Sequence, residues 1–486
     1  YYYCANHSSM GGDVTKGVGY YYKWDTSSGT LTTGNYAATV SGTDAKVYPP
    51  MSEKLFEAGI NFSEGFIKEN FEEADSYIIG NVISRNNELL QEILENDGLI
   101  QSSPDWLYQN ILKEKKVIAV SGTHGKTTTA TIAAYLLKAN AVDPSWFIGG
   151  VPKSLANGAH LGEGNNFVIE GDEYDSAFFD KRSKFIHYNP YIVSINNLEM
   201  DHADIFRDLA DIQRSFSHLI RLIPQRGYLI VNGDDANVLQ LLDKCYCSLL
   251  KVGMEKGNDL VIDDFKEGTW GSSFKLYFKG QFWTEVEWSL NGLYNARNAA
   301  IAALSAGIAI NPKNPLSIDL TALKAFEGVK RRQEKLFENN ELVVYEDFAH
   351  HPSAISGVLE SKRRIFPEHE IIACFEPRSN TSKSQLFQSE FTEALSKADA
   401  VLIGAINKKK EASNSGYLDR LKMVQEIQGL RGNCIAEFFE ENDQLHLYLD
   451  QFLKDREQNR KPAVVVFFTN GSFDGIMKKL VNDLTS

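Results

Sequence analysis

Val117-Ile118-Ala119-Val120-Ser121-Gly122-Thr123-His124-Gly125-Lys126-Thr127-Thr128-Thr129 decides the fold. Its first four residues are apolar and read as a parallel strand buried on both faces. Two glycines bracket a turn, and Ala130-Thr131-Ile132-Ala133-Ala134-Tyr135-Leu136-Leu137 continues as an apolar helical run. Strand, glycine turn and helix start together make an anion site. The first N–H groups of a helix have no partner inside it, and the helix dipole adds positive potential there. Lys126 supplies a mobile positive charge for β- and γ-phosphates, and the Thr127 hydroxyl is placed to ligate Mg2+. The spacing is a short form, G-x-x-G-K-T. The longer phosphate loop has glycine five residues before the Gly-Lys pair, where this chain has Val120. A nucleoside triphosphate is the expected ligand.

At 486 residues the chain has room for about three domains of ~150 residues. The apolar run Ala463-Val464-Val465-Val466-Phe467-Phe468 has the length of a buried strand. It falls far short of the roughly 20 residues of a membrane span, so none is expected. A net charge of −14 argues against a general grip on nucleic acid and leaves the basic residues for local anion sites. The five cysteines are scattered, and Cys245-Tyr246-Cys247 is too tight for metal-ligand spacing. Reduced thiols in a cytoplasmic protein are the simplest account. No charged stretch followed by an apolar core opens the chain, so a secretion signal is not expected.

From Ser41 onward, strand-like and helix-like stretches alternate, which implies an α/β protein with mostly parallel sheets. Before that, Met10-Gly11-Gly12 and the Ser/Thr/Gly cluster from Thr26 to Gly34 read as loop and short β, atypical of a Rossmann strand–helix unit. Ser76-Tyr77-Ile78-Ile79 reads as a strand running into a loop at Asn81, Asn87 to Leu94 as an amphipathic helix, and Ser102-Ser103-Pro104 as its break. Further buried strands are expected at Phe167–Glu170, Tyr191–Asn196, Gly227–Asn232, Leu342–Tyr345, Ile371–Phe375 and Ala400–Ile403. The domains expected are 1–115, 116–330 and 331–486.

Several constellations sit where such sheets place ligands, at strand carboxyl ends. Glu170 leads into Gly171-Asp172-Glu173-Tyr174-Asp175 and is a candidate magnesium ligand, while the loop acids after it are as readily solvated. Asn197-Leu198-Glu199-Met200-Asp201-His202-Ala203-Asp204 offers carboxylates beside an imidazole for a second divalent ion. Asn295 and Asn298 lie one turn apart on an Ala-rich helix and can meet an adenine edge, although helix capping explains the same asparagines. Gly328-Val329-Lys330-Arg331-Arg332 is a basic hinge from which an arginine can reach a γ-phosphate. Arg378, followed by Ser379-Asn380-Thr381, can grip a carboxylate, or the stretch is simply a turn.

In order along the chain, residues 122–129, 170–175, 197–204, 294–299, 328–332 and 346–352 resemble the Mur ligase family of ATP-dependent amide-forming enzymes. The resemblance covers roughly residues 42 to 486. It implies an N-terminal UDP-binding Rossmann-like domain, a central P-loop ATPase domain and a C-terminal Rossmann-like domain. It also implies ATP and Mg2+, with Gly122, Thr123, His124, Gly125, Lys126, Thr127 and Thr128 around the phosphates. Thr127, Glu170 and His202 would hold metal, Asn295 and Asn298 would meet adenine, and Arg332 the γ-phosphate. Asp347 and His350 would contact the nucleotide from the C-terminal side. Lys126, Glu170, His202 and Arg332 are the implied catalytic set.

Within the family, residues 42–52, 177–185, 376–381 and 472–475 resemble the members that join UDP-N-acetylmuramate to the murein tripeptide L-alanyl-γ-D-glutamyl-meso-diaminopimelate in peptidoglycan recycling. Asp44, Asn81, Arg378, Ser379, Asn380 and Thr381 are then the substrate contacts. Tyr294 stands where the family usually has histidine, and Ser217 stands where some members carry a carbamylated lysine, so no carbamate is expected. Three alternatives stay open: a UDP-N-acetylmuramate–L-alanine ligase, a folylpolyglutamate-type ligase and a catalytically impaired nucleotide-binding protein. The sequence leaves oligomeric state open.

Overall fold

The computed structural model describes residues 19–25, 37–47, 52, 55–56, 59–406, 416–458 and 461–485. Met10-Gly11-Gly12, Thr26–Gly34 and Tyr48–Met51, all singled out in the sequence, lie outside the described residues.

The described residues form three sheets. The first has five strands in the order Asn61–Glu64, Ala37–Asp44, Gly19–Asp25, Ser76–Ile79, Ile100–Ser102. Gly19–Asp25 runs antiparallel to both neighbours, and the outer pairs are parallel. Asn87 caps helix Glu88–Glu95 by accepting from Leu90 N, and the helix buries Leu89, Leu90 and Ile93 against the sheet core. The Ser102-Ser103-Pro104 stretch, expected to end a helix, instead starts one. Ser102 caps Ser103–Asn110 and Pro104 occupies its first turn, where a missing N–H costs nothing.

The second sheet has ten strands. At its centre Lys116–Ser121 lies between Ile192–Ile195 and Asn166–Gly171, parallel to both. The chain winds one way from this strand and then the other, so the loop at its carboxyl end sits at the switch point where a crevice opens. Helix Lys126–Ala139 packs against helix Leu293–Ile310. The latter buries Ala296, Ala299, Ala300, Ala302, Ala303 and Ala306, whose small side chains allow close approach. An antiparallel meander, Leu260–Gly268, Gly271–Phe278 and Gln281–Trp288, extends one edge and has no counterpart among the expected strands. Its last turn, Lys279-Gly280, has positive φ at both residues, as tight hairpins require.

The third sheet has six strands, ordered Glu334–Glu338, Leu342–Asp347, Ala463–Phe468, Glu370–Phe375, Ala400–Ile403, Ile435–Phe438. All pairs are parallel except the first. The chain passes from the second sheet to the third through residues 328–333, where Arg331 (φ +63) and Gln333 (φ +49) adopt the left-handed region unusual for their residue types. Among the described residues, no helix is long and apolar enough to cross a membrane.

Candidate active site

The turn after Lys116–Ser121 depends on its glycines. Gly122 has φ +126 and Gly125 φ +81. A Cβ on Gly125 would lie 2.5 Å from Asn298 Oδ1 and 2.8 Å from Asn196 Nδ2, so a larger residue has no room. Helix Lys126–Ala139 begins with no side-chain cap, which leaves its first N–H groups for a ligand. A cleft of about 550 Å³ opens there, between the second and third sheets.

Lys126 reaches back across the turn. Its Nζ donates to Gly122 O at 2.7 Å and to the Glu173 carboxylate at 2.8 and 3.0 Å. Burial favours the neutral amine, but Glu173 and then Asp172 outweigh it and hold the lysine charged. Burial acts against the Glu173 carboxylate too, yet Lys126 and His202 pull its pKa down to about 2. Asp172 moves the other way, up to about 6, through burial and repulsion from Glu173.

Thr127 Oγ1 donates to Glu170 Oε2 at 3.0 Å, and Gly149 N donates to Glu170 Oε1 at 2.7 Å. Burial raises the Glu170 carboxyl above its usual range. Arg332 stacks under the Phe348 ring, 4.3 Å from its centroid, and donates to Thr127 Oγ1 at 3.4 Å. His202, at φ +54, sets Nε2 3.2 Å from Glu173 Oε1. Burial disfavours its charge, but Asp201 and Glu173 prevail and raise it to about 9. Asn298 Nδ2 donates to Asn295 Oδ1 at 3.3 Å, so the two carboxamides form one unit. From the third sheet, Asp347 accepts from Gln333 N and Ala349 N at 2.8 and 2.7 Å. Burial lowers His350 to about 4, leaving a neutral imidazole.

Thr123, His124, Gly125, Lys126, Thr127, Thr128, Glu170, His202, Asn295, Asn298, Arg332, Asp347 and His350 all line this cleft, and Gly122 adjoins it through its carbonyl. The expected substrate contacts do not line it. Asp44 ends a strand of the first sheet and accepts from Lys46 N at 3.0 Å. Asn81 lies beyond strand Ser76–Ile79. Arg378 sits 3.7 Å from Glu376 and packs against Gly471. Ser379 caps a short helix by accepting from Ser382 N. Asn380 Nδ2 donates to Asp204 Oδ2 at 3.0 Å and Thr381 Oγ1 to Asp201 Oδ1 at 2.6 Å, so this stretch presses the third-sheet unit onto the His202 loop.

Several site residues escape sequence reasoning. Glu173 reads as a solvated loop acid but is 3% exposed and bridges Lys126 to His202. Its position three residues past Glu170 is the only local signal. Lys184 is buried with its Nζ 2.6 Å from Asp172, and nothing in its own stretch announces a partner. Tyr294 lines the cleft in the place of the family's usual histidine, its hydroxyl hydrogen-bonded to the Gln333 amide.

A family model described as "Mur ligase middle domain" matches residues 120–306, and one described as "Mur ligase family, catalytic domain" matches residues 26–115. Over 449 residues the chain is 37% identical to UDP-N-acetylmuramate--L-alanyl-gamma-D-glutamyl-meso-2,6-diaminoheptandioate ligase of Escherichia coli (strain K12), covering 92% of this chain and 93% of that protein. The chain belongs to the Mur ligase family. As a Mur ligase it is an ATP-dependent enzyme that forms amide bonds. The crystal structure of a murein peptide ligase from Psychrobacter arcticus 273-4 superposes with a TM-score of 0.64 at 30% identity, covering 91% of this chain and 93% of that one. UDP-N-acetylmuramate--L-alanine ligase of Clostridium botulinum (strain Langeland) is 30% identical over 420 residues, 86% of this chain and 88% of that protein.

Proposed function

We propose that this Mur ligase joins UDP-N-acetylmuramate to L-alanyl-γ-D-glutamyl-meso-diaminopimelate at the expense of ATP, in cytoplasmic peptidoglycan recycling. One observation carries the choice of acceptor. The relative whose name states that tripeptide is 37% identical over 92% of the chain, against 30% over 86% for an L-alanine-adding relative.

The proposed domains are 1–115 for the UDP-sugar, 116–330 for ATP and 331–486 as the closing unit. The left-handed residues Arg331 and Gln333 support a hinge between the last two. Lys126 and the N–H groups of the turn would bind the phosphates, Asn295 and Asn298 the adenine, and Asp347 and His350 the nucleotide from the opposite side. The 3.0 Å approach of Thr127 Oγ1 to Glu170 Oε2 supports these oxygens as a pair of hard donors for Mg2+. His202, beside Glu173, is the proposed donor for a second ion. Bound there, Mg2+ would offset the charge gathered between a carboxylate and a triphosphate.

In the proposed chemistry the lactyl carboxylate attacks the γ-phosphorus and ADP leaves, giving an acyl phosphate. The tripeptide amine then attacks the acyl carbon and phosphate leaves. Lys126 and Arg332 stabilise the charge on the transferring phosphoryl group. Asp44, Asn81 and Arg378 to Thr381 are the proposed substrate contacts. The Asn81 Oδ1 atom, buried with no hydrogen-bond partner among the described residues, supports a ligand donor there. Acceptor-dependent ADP release from ATP and UDP-N-acetylmuramate tests the reading. Release with the tripeptide and not with L-alanine is expected, and release with L-alanine alone would overturn it.

A further inference from the structure

At one rim of the cleft, His124, Glu199 and His351 come together from two units that the chain connects only through residues 328–333. His124 Nε2 and His351 Nδ1 each lie 3.1 Å from the same oxygen, Glu199 Oε2. The three donor atoms lie within 4.8 Å of one another, and the imidazole ring centroids are 4.8 Å apart. Ser353 Oγ completes the group, 2.9 Å from His351 Nδ1 and 3.4 Å from His124 Nε2, and hydrogen-bonded to Glu199.

The orientation of His351 is the telling feature. Its Nε2 lies 3.0 Å from the Met200 carbonyl, which can only accept, so that nitrogen carries the proton. Nδ1 then faces the Glu199 carboxylate and the Ser353 hydroxyl, a place that a proton fills in the metal-free protein and that a metal ion would take by displacing it. A ligating histidine typically has its other N–H fixed by a backbone carbonyl in this way. Tetrahedral coordination at bonds of about 2.0–2.1 Å places ligand atoms roughly 3.3 Å apart. The two nitrogen–oxygen separations are already near that value, and only the two nitrogens need to approach. Glu199 and His124 keep 34% and 22% side-chain exposure, so an ion can enter from the cleft.

We propose that His124, Glu199 and His351 form a binding site for a borderline divalent transition-metal ion of the Zn2+ or Co2+ type, with Ser353 or water in the fourth position. Two imidazoles and one carboxylate select such ions over Mg2+, which prefers oxygen donors alone. The site shares His124 with the phosphate turn but uses neither the Thr127–Glu170 pair nor His202, and it does not depend on the proposed substrate. Because His124 and Glu199 belong to the second-sheet unit and His351 to the third, a bound ion ties the two together across the cleft.

The test uses the full chain stripped with a chelator and titrated with Co2+ in excess Mg2+, reading the visible d–d absorption. One equivalent of Co2+ with tetrahedral-type bands, displaced by Zn2+, is expected. Affinity should fall at least tenfold in His351→Ala and in His124→Ala, and stay within twofold in His202→Ala. Near-ultraviolet circular dichroism without metal identifies a variant that has not folded, and the other histidine variant then decides. Absence of bands in the wild-type chain overturns the proposal and leaves the cluster a hydrogen-bonded contact between units. Bands that survive in a folded His124→Ala or His351→Ala, or that vanish in His202→Ala, overturn it equally.

Discussion

Glu173 illustrates how much of this site rests on single buried charges. It is 3% exposed and its partner Lys126 14%, so each neutralises the other in a place water barely reaches. Removing Lys126 leaves Glu173 paired with the His202 imidazolium in place of two cations, at a cost of up to about 3 kcal/mol. Lys126→Met is therefore expected to lower thermal stability and to reduce ADP release by at least about a hundredfold, the scale for loss of one group that stabilises transition-state charge. Lys126→Met combined with Glu173→Gln should recover most of the stability and none of the turnover, measured by calorimetry and by ADP formation. Gly125→Ala tests the turn: with φ +81 and no room beside Asn298 Oδ1, the substitution should weaken ATP binding by roughly tenfold or more in a calorimetric titration. Lys126 and Thr127 are legible in the sequence because strand, turn and helix start lie within one short stretch. Glu173 is not, because its role depends on two partners in other loops, and its own neighbours read as a solvated acidic run.

Helix Pro352–Ile365 shows the same logic at the level of an element. Its Lys362 is fully buried, with Nζ 3.6 Å from the Tyr345 ring centroid and no hydrogen-bond partner among the described residues. Burial lowers its pKa to about 7. The unfolded chain keeps this lysine protonated up to about pH 10.4, so between those values the unfolded state binds the extra proton and this residue's contribution to stability rises with pH. Lys362→Met should therefore stabilise the protein most near pH 6, with the difference in melting temperature from wild type shrinking toward pH 10. An equal difference at both ends would contradict the assignment. Apolar periodicity makes helices such as Glu88–Glu95 legible, and continuous apolar runs do the same for the parallel strands. The meander Leu260–Gly268 to Gln281–Trp288 is not legible this way, since its strands mix buried and exposed positions and set polar or charged residues among the apolar ones.

Across the whole molecule, the cleft exists only while the third-sheet unit is docked. Glu267, on the second sheet, accepts from Arg364 Nε at 2.6 Å, Ser361 Oγ at 2.7 Å and Gly292 N at 2.8 Å, and two of these donors come from the docking helix Pro352–Ile365. Glu267→Ala should increase the radius of gyration in solution scattering and raise the KM for ATP by roughly tenfold, about 1.4 kcal/mol of closure lost. Contacts of this kind join residues far apart in sequence, so the order of motifs makes the three-part architecture legible while the pairings that hold it closed are not. In the proposed reaction this assembled cleft phosphorylates the lactyl carboxylate of UDP-N-acetylmuramate before the tripeptide is attached. Substrate carrying 18O in both oxygens of that carboxylate, incubated with ATP, Mg2+ and the tripeptide, reports on this step. Inorganic phosphate bearing one 18O is expected, whereas unlabelled phosphate accompanying product formation would rule out the acyl phosphate.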